Sequence, residues 1–238
     1  MPNNFFRFKQ FTVQQENCAM KVCTDACLFG AITAKHFQQI EIKNVLDIGT
    51  GTGLLSLMLA QKINATIDAI EIDEQAAMQA AYNFQHSGWQ QRLHMHHTAI
   101  QQFENSLTYG LIICNPPFYD NDLKSPDKKR NAALHSSNLN FEELITAAKK
   151  FIAQSGTLAV LLPFHRSANF EQLAITHNLY LNKKILIRQT LQHHFFRAVL
   201  FFSLNRSKLM QEEISIEDTE KKYSHKFCEL LQDYYLNL

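Results

Sequence analysis

The sequence predicts an α/β fold: a mostly parallel sheet of seven strands with helices on both faces, a C-terminal antiparallel hairpin, and an N-terminal arm. Three observations lead there. From Lys43 onward, short apolar runs alternate with helical patterns, as in successive β-α-β units. The glycine-rich run Asp47-Ile48-Gly49-Thr50-Gly51-Thr52-Gly53 falls where the first sheet strand would pass into the first sheet helix. No helical pattern separates the last two strand runs, so those strands are expected to pair antiparallel at one edge of the sheet.

In chain order, Phe5-Phe6-Arg7-Phe8-Lys9-Gln10-Phe11 reads as a strand. It would carry Phe6 and Phe8 on one face and Phe5, Arg7, Lys9 and Phe11 on the other. That second face suits phosphates and bases, or equally a solvated edge. A helix is expected over Ala26–Phe37, capped by Thr24 or Asp25. Strands are expected at Asn44–Ile48, Thr66–Ile72, Leu93–His97, Gly110–Cys114, Thr157–Leu162, Lys184–Arg188 and Ala198–Leu204. Helices should fill Leu54–Lys62, Gln75–His86, Phe141–Ala153 and Ser167–His177. From Lys221 to Leu238 the spacing of Tyr223, Phe227, Leu230, Leu231, Tyr234 and Tyr235 predicts an amphipathic helix that packs on the core. The expected organisation is an arm over 1–40, a core over 41–210 and a helical extension over 211–238.

Composition narrows the function classes. With 46% hydrophobic and 19% charged residues, the chain has the balance of a globular protein. No apolar run approaches the roughly 20 residues of a membrane span. Met1-Pro2-Asn3-Asn4 lacks the layout of a secretory signal, so a cytoplasmic protein is expected. Five cysteines, one of them inside a strand run, argue against a disulfide framework. Neither the spacing of Cys18, Cys23 and Cys27 nor that of His94, His96 and His97 matches a metal-ligand pattern, so no metal is expected. Net charge is only +1, yet Gln172 to Gln211 contains no acid while holding Lys183, Lys184, Arg188, Arg197, Arg206 and Lys208. A local positive field is expected there.

Two motifs carry the chemistry. The glycines after Asp47 let a ligand approach the backbone without meeting a Cβ atom, and Glu71 closes the next strand, where an acid can bind ribose hydroxyls. The dinucleotide fingerprint fails, because Leu54 stands where its third glycine belongs. A carboxylate just before the loop also suits an amine-bearing cationic ligand better than a pyrophosphate. The second motif is Asn115-Pro116-Pro117-Phe118, at the end of the apolar run Leu111-Ile112-Ile113-Cys114. Alone it could be a proline-rich turn with a packed ring. Beside a nucleoside site, it offers the Asn115 side-chain carbonyl and a backbone carbonyl as acceptors, with Phe118 as a stacking face. The loop from Tyr119 to Asn138, with Lys124, Lys128, Lys129 and Arg130, would add bases nearby.

Together these motifs resemble the S-adenosylmethionine-dependent amino-methyltransferases of the seven-stranded Rossmann-like class. More narrowly, Phe8-Lys9-Gln10-Phe11, Cys18-Ala19-Met20-Lys21-Val22 with Thr24-Asp25, and Tyr223-Ser224 with Phe227, Leu230-Leu231 and Tyr235-Leu236 resemble the bacterial tRNA1(Val) adenine-N6 methyltransferase family. The resemblance implies methyl transfer to N6 of the adenosine 3′ of a tRNA anticodon. It implies a cofactor site at Asp47, Gly49, Thr50, Gly51 and Gly53, with Glu71 and Ile72 at the ribose and Thr98-Ala99 along the adenine. Lys21, Thr24 and Asp25 would belong to the covering arm. Asn115 and Pro116 would receive the N6 hydrogens, and Pro117 and Phe118 would complete the catalytic motif. The tRNA would meet Arg7, Lys9, Lys128, Lys129, Arg130, Lys183, Lys184, Arg188 and Arg197 on a monomeric enzyme. Two rivals share the tetrapeptide: transfer to a protein glutamine amide, and transfer to guanine N2 of rRNA, whose enzymes usually carry a duplicated domain. A noncatalytic RNA-binding protein of the same fold is opposed by the intact motif, since folding alone does not demand that sequence at a strand end.

Overall fold

A computed structural model of the chain describes residues 4–18, 20–116 and 140–238. Pro117, Phe118, Lys124, Lys128, Lys129 and Arg130 lie outside the described residues. The arm is a small antiparallel pair, β1 (Phe5–Arg7) and β2 (Thr12–Gln14), followed by α1 (Thr24–Phe37). The core runs β3 (Asn44–Ile48), α2 (Leu54–Lys62), β4 (Thr66–Glu71), α3 (Glu74–Gln85), β5 (Leu93–His97), β6 (Tyr109–Cys114), α4 (Phe141–Phe151), β7 (Ile152–Pro163), α5 (Phe164–Thr176), β8 (Tyr180–Arg188) and β9 (Arg197–Ser203). The chain continues into β10 (Met210–Ser215) and α6 (His225–Leu231).

The large sheet has the order β10-β8-β9-β7-β6-β3-β4-β5. β5, β4, β3, β6 and β7 are parallel neighbours, whereas β9 runs antiparallel between β7 and β8. Alternate residues of each strand point to opposite faces, which makes two cores. On one face Val45, Ile67, Leu111 and Leu161 pack against α1, α2, α3 and α6. On the other, Leu46, Ile70, Ile112 and Val160 pack against α4 and α5. The helix that follows β3, α2, and the helix that follows β6, α4, pack on opposite faces of the sheet. In open α/β sheets the ligand crevice lies at the carboxyl ends of two such adjacent strands.

Four expectations need correction. The sheet has eight strands rather than seven, and the antiparallel hairpin β8–β9 is not at its edge, because Met210–Ser215 pairs parallel with β8 outside it. Phe5 to Phe11 is not one strand. The Phe8 amide bonds the Phe11 carbonyl at 2.8 Å, the chain turns there, and Phe11 is buried in a stack with Phe8 whose centroids lie 4.5 Å apart. The residue capping α1 is Cys23, and neither Thr24 nor Asp25 takes that role. The C-terminal helix is short: it starts after Ser224, whose hydroxyl accepts from the Phe227 amide, and ends at Leu231.

Candidate active site

The glycine turn takes its shape from three residues in left-handed backbone: Gly49, Gly51 and Gly53 have φ of 70°, 56° and 81°. That conformation strains any residue with a Cβ. Their surroundings differ in an informative way. A Cβ on Gly53 would lie 2.5 Å from Phe84 Cε1, so this glycine is required by packing. A Cβ on Gly49 or Gly51 would meet nothing within 4 Å, so these two leave open space in front of the backbone. The turn is pinned to β4 by the Gly49 and Thr50 amides, which both donate to the Ile70 carbonyl.

Asp47 sits at the floor of the turn and is fully buried. Its Oδ2 accepts from the Thr50 hydroxyl at 2.6 Å and the Ser56 hydroxyl at 2.7 Å, while Oδ1 has no partner among the described residues. Burial pushes the carboxyl up to about 6; the two hydroxyls work against that rise and the negative charge of Glu71 adds to it. At neutral pH the site therefore holds a buried carboxylate with one oxygen unmet, a receptor for a cationic group.

Glu71 ends β4 across the turn. One of its oxygens accepts from the Gly51 amide at 2.9 Å, and the other accepts from the amides of Ile72 and Asp73 at 2.9 and 3.0 Å. The Thr98 amide donates to the Glu71 carbonyl, which brings Thr98 and Ala99, at the exit of β5, beside Ile72. The expected cofactor residues Asp47, Gly49, Thr50, Gly51, Gly53, Glu71, Ile72, Thr98 and Ala99 thus line the carboxyl ends of three adjacent strands.

Asn115 completes the arrangement from the other side of the crevice. The β3–β6 register pairs Ile48 with Cys114, so the residues that follow, Gly49 and Asn115, face each other where the strands end. Asn115 Oδ1 is buried and has no hydrogen-bond partner among the described residues, and Pro116 is buried next to it. A buried carbonyl left without a donor costs about 1–3 kcal/mol, which a ligand N–H can relieve. Two unmet acceptor oxygens and two open glycine faces fit a bound S-adenosylmethionine and an amine substrate.

The arm frames both flanks of the crevice. Asn83 of α3 accepts from the Gln14 amide and donates to the carbonyls of Gln14 and Thr52, each at 2.9 Å, so one carboxamide ties β2 to the glycine turn. On the far flank, Asp25 Oδ2 accepts from Arg197 Nε at 2.7 Å, fastening the start of α1 to β9. Lys21 and Thr24 are exposed between these anchors. Sequence reading missed Ser56 and Asn83. Their signal was a polar residue on the apolar side of each helical pattern.

Of the six cations behind the expected positive field, four are held in ion pairs. β10 lays Glu212 and Glu213 alongside β8, and Lys183 pairs with Glu212, Arg188 with Glu213, Lys184 with Glu171 and Arg197 with Asp25, at 2.6 to 2.8 Å. Lys9 donates to the Gln232 carbonyl, and Arg7 is exposed on β1. The cysteines are free thiols, and burial pushes Cys23 and Cys27 up to about 12. His96 faces Asp68, 2.7 Å away.

The model of the methyltransferase small domain matches residues 30–176, more than half of the chain. The fold is shared with a predicted O-methyltransferase from Agrobacterium tumefaciens, at a TM-score of 0.68 and 16% identity over 90% of this chain and 100% of that one. The protein is thus a methyltransferase of the Rossmann-like α/β class that uses S-adenosylmethionine. Curated relatives define it further. Proteins from Cytophaga hutchinsonii and Christiangramia forsetii, both named tRNA1(Val) (adenine(37)-N6)-methyltransferase, are 41% and 38% identical to it over the full length of both chains. The chain belongs to the tRNA1(Val) (adenine(37)-N6)-methyltransferase family.

Proposed function

We propose that the chain methylates N6 of the adenosine just 3′ of the anticodon in tRNA1(Val), with Asn115 at the centre of the chemistry. The observation that carries this reading is the buried Asn115 Oδ1, without a hydrogen-bond partner among the described residues, on the residue that follows β6 beside the glycine turn that follows β3.

Bound S-adenosylmethionine supplies an electrophilic methyl on a positively charged sulfur. Gly49 and Gly51 would admit it against the backbone, the Asp47 oxygen without a partner among the described residues would receive its ammonium group, and Glu71 would serve the ribose hydroxyls. Ile72, Thr98 and Ala99 would hold the adenine, and the segment with Lys21, Thr24 and Asp25 would cover the flank. Adenine N6 is a weak nucleophile because its lone pair is delocalised into the ring. Asn115 Oδ1 and the Pro116 carbonyl accept its two hydrogens, which favours pyramidal nitrogen and aims the lone pair into the crevice. Pro117 and Phe118 are assigned from their place in the motif, Phe118 as the stacking face for the flipped base. The N6–methyl bond would form as the methyl–sulfur bond breaks, leaving a neutral thioether, and the acidic methylated N6 would then give one proton to water, so alignment supplies the rate without a tuned general base.

Among the remaining basic residues, Arg7, Lys128, Lys129 and Arg130 are the proposed phosphate contacts. Lys183 and Lys184 are poor candidates, since both are ion-paired well back from the crevice end of β8. No helix among the described residues is long and apolar enough to cross a membrane, and the proposed substrate places the enzyme in the cytoplasm.

The test is incubation of the purified protein with methyl-labelled S-adenosylmethionine and unmodified total tRNA, followed by nucleoside mass spectrometry. Label in N6-methyladenosine next to the tRNA1(Val) anticodon is expected. Label confined to guanine N2, or to glutamine of an added protein substrate, overturns the reading in favour of a rival.

A further inference from the structure

The turn joining β8 to β9 lies at the same end of the sheet as Asn115. β8 and β7 point the same way, Pro163 at the end of β7 pairs with Arg197 at the start of β9, and Val160 of β7 pairs with Cys114 of β6. With strands about 4.8 Å apart, the tip stands roughly 10–14 Å to the side of Asn115. That is the range of the nucleotides flanking a base held in the crevice.

The tip is built in an unusual way for a solvated turn. The Phe164 amide donates to the Phe196 carbonyl at 3.0 Å, and the Phe196 amide donates to the Ile187 carbonyl at 2.9 Å, so α5 begins on the root of the tip. Thr190 Oγ1 and His193 Nδ1 approach to 2.7 Å and close the turn. On this frame the Arg188 guanidinium lies 4.9 Å from the Phe195 ring centroid, and the Phe195 and Phe164 centroids are 5.7 Å apart. Phe164 is 37% exposed and Leu191 58% exposed, with His193 and His194 also in solvent. One turn into α5, the Arg166 guanidinium lies over Phe141 at 4.6 Å and has no carboxylate partner among the described residues.

Hydrophobic burial does not account for the exposed Phe164 and Leu191 at this end of the sheet. Arg188 is already neutralised by Glu213, so its role at Phe195 is to cover one ring face, while Phe164 stays open. Aromatic rings alternating with guanidinium planes are the chemistry of single-stranded nucleic acid recognition, in which unstacked bases find new stacking partners. Extracting one base from a loop strips its neighbours of such a partner.

We propose that the ledge made by Phe164, Phe195 and the tip of the β8–β9 turn stacks the loop nucleotides next to the target adenosine. This rests on the tRNA reading above and assigns the specificity surface of the same site. Phe164→Ala should raise KM for tRNA and Kd for a fluorescent anticodon stem-loop about tenfold, as removal of one stacking partner does. Turnover at saturating tRNA, affinity for S-adenosylhomocysteine and Tm should hold within about twofold or a degree of wild type. Phe164→Tyr should restore the RNA affinity. Because Phe195 also packs against the core, the second variant is His194→Glu, at an exposed position, with the same expected direction.

Wild-type KM and Kd in both Phe164→Ala and His194→Glu would overturn the proposal. Equal weakening for the stem-loop and for a plain duplex would also overturn it, because it would mean backbone contact without stacking. If wild-type enzyme methylates no tRNA yet stem-loop binding still depends on Phe164, the ledge stands and the assigned activity falls.

Discussion

Asp47→Asn should make the protein more stable while making it a poorer binder of its cofactor. The carboxyl is fully buried, and burial raises it from 3.8 to about 6. A shift of about two units corresponds to roughly 3 kcal/mol by which the folded state disfavours the ionised form. The folded protein holds the Asp47 proton more tightly than the unfolded chain, so this contribution is fully favourable below about pH 4 and is lost as pH rises through about 6. The amide carries no charge and keeps an acceptor for the Thr50 and Ser56 hydroxyls. Its advantage over wild type should therefore grow between about pH 4 and 6 and level off above, reaching at most about 3 kcal/mol, or roughly 6–12 °C in Tm.

Thermal denaturation of the ligand-free proteins across that range reads the first half of the claim. Calorimetric titration with S-adenosylhomocysteine reads the second, where loss of a charged acceptor should weaken binding about tenfold. A variant no more stable than wild type near neutral pH, or an advantage that does not shrink on acidification, refutes the assignment of Asp47 as an unmet buried carboxylate.

Three other outcomes are expected. Asn115→Ala should lower turnover about a hundredfold or more with S-adenosylhomocysteine affinity unchanged, and single-turnover kinetics would expose an effect on binding instead. Gly53→Ala and Gly49→Ala should diverge in denaturant unfolding. The first drives a methyl into Phe84 and should cost about 3 kcal/mol, whereas the second carries only left-handed strain of about 1–2 kcal/mol and should lose cofactor affinity. Asn83→Leu removes three hydrogen bonds between β2, α3 and the glycine turn and should expose the arm to limited proteolysis near Gln14 while α2 and β3 stay protected.

The central strands and both motifs were legible because local chemistry and global position agree there. β3, β5 and α2 begin and end where the apolar runs do, and the glycine turn needs glycine for reasons carried in its own backbone. β10 was not legible. Met210-Gln-Glu-Glu-Ile-Ser hides one core residue, Ile214, among charges that mark a surface stretch until β8 is placed beside it. The same register hides two of the expected cations, since Lys183 and Arg188 find Glu212 and Glu213 only when the two strands align. The turn at Phe8 to Phe11 lacks glycine, asparagine and proline, and is held by contacts with the far end of the chain. β7 begins five residues early, directly from α4, on pairing with β6 that is irregular at Tyr109. At the site, the placement of α2 and α4 on opposite faces and the oxygens of Asp47 and Asn115 without partners among the described residues required coordinates.

The first and last segments are sewn together. The Lys9 amide donates to the Tyr234 carbonyl at 2.8 Å, Tyr235 lies against Phe6 and Phe8, and the Tyr234 hydroxyl reaches the Met58 carbonyl at 3.0 Å. During translation, therefore, the strand pair that flanks the glycine turn is made long before the residues that hold Lys9 and the Phe6 and Phe8 rings, so these ties form late even where the Asn83 bridge is already in place. A chain cut short before Tyr234 would keep that bridge and lose these ties, handing chaperones and proteases a loosened hairpin to recognise.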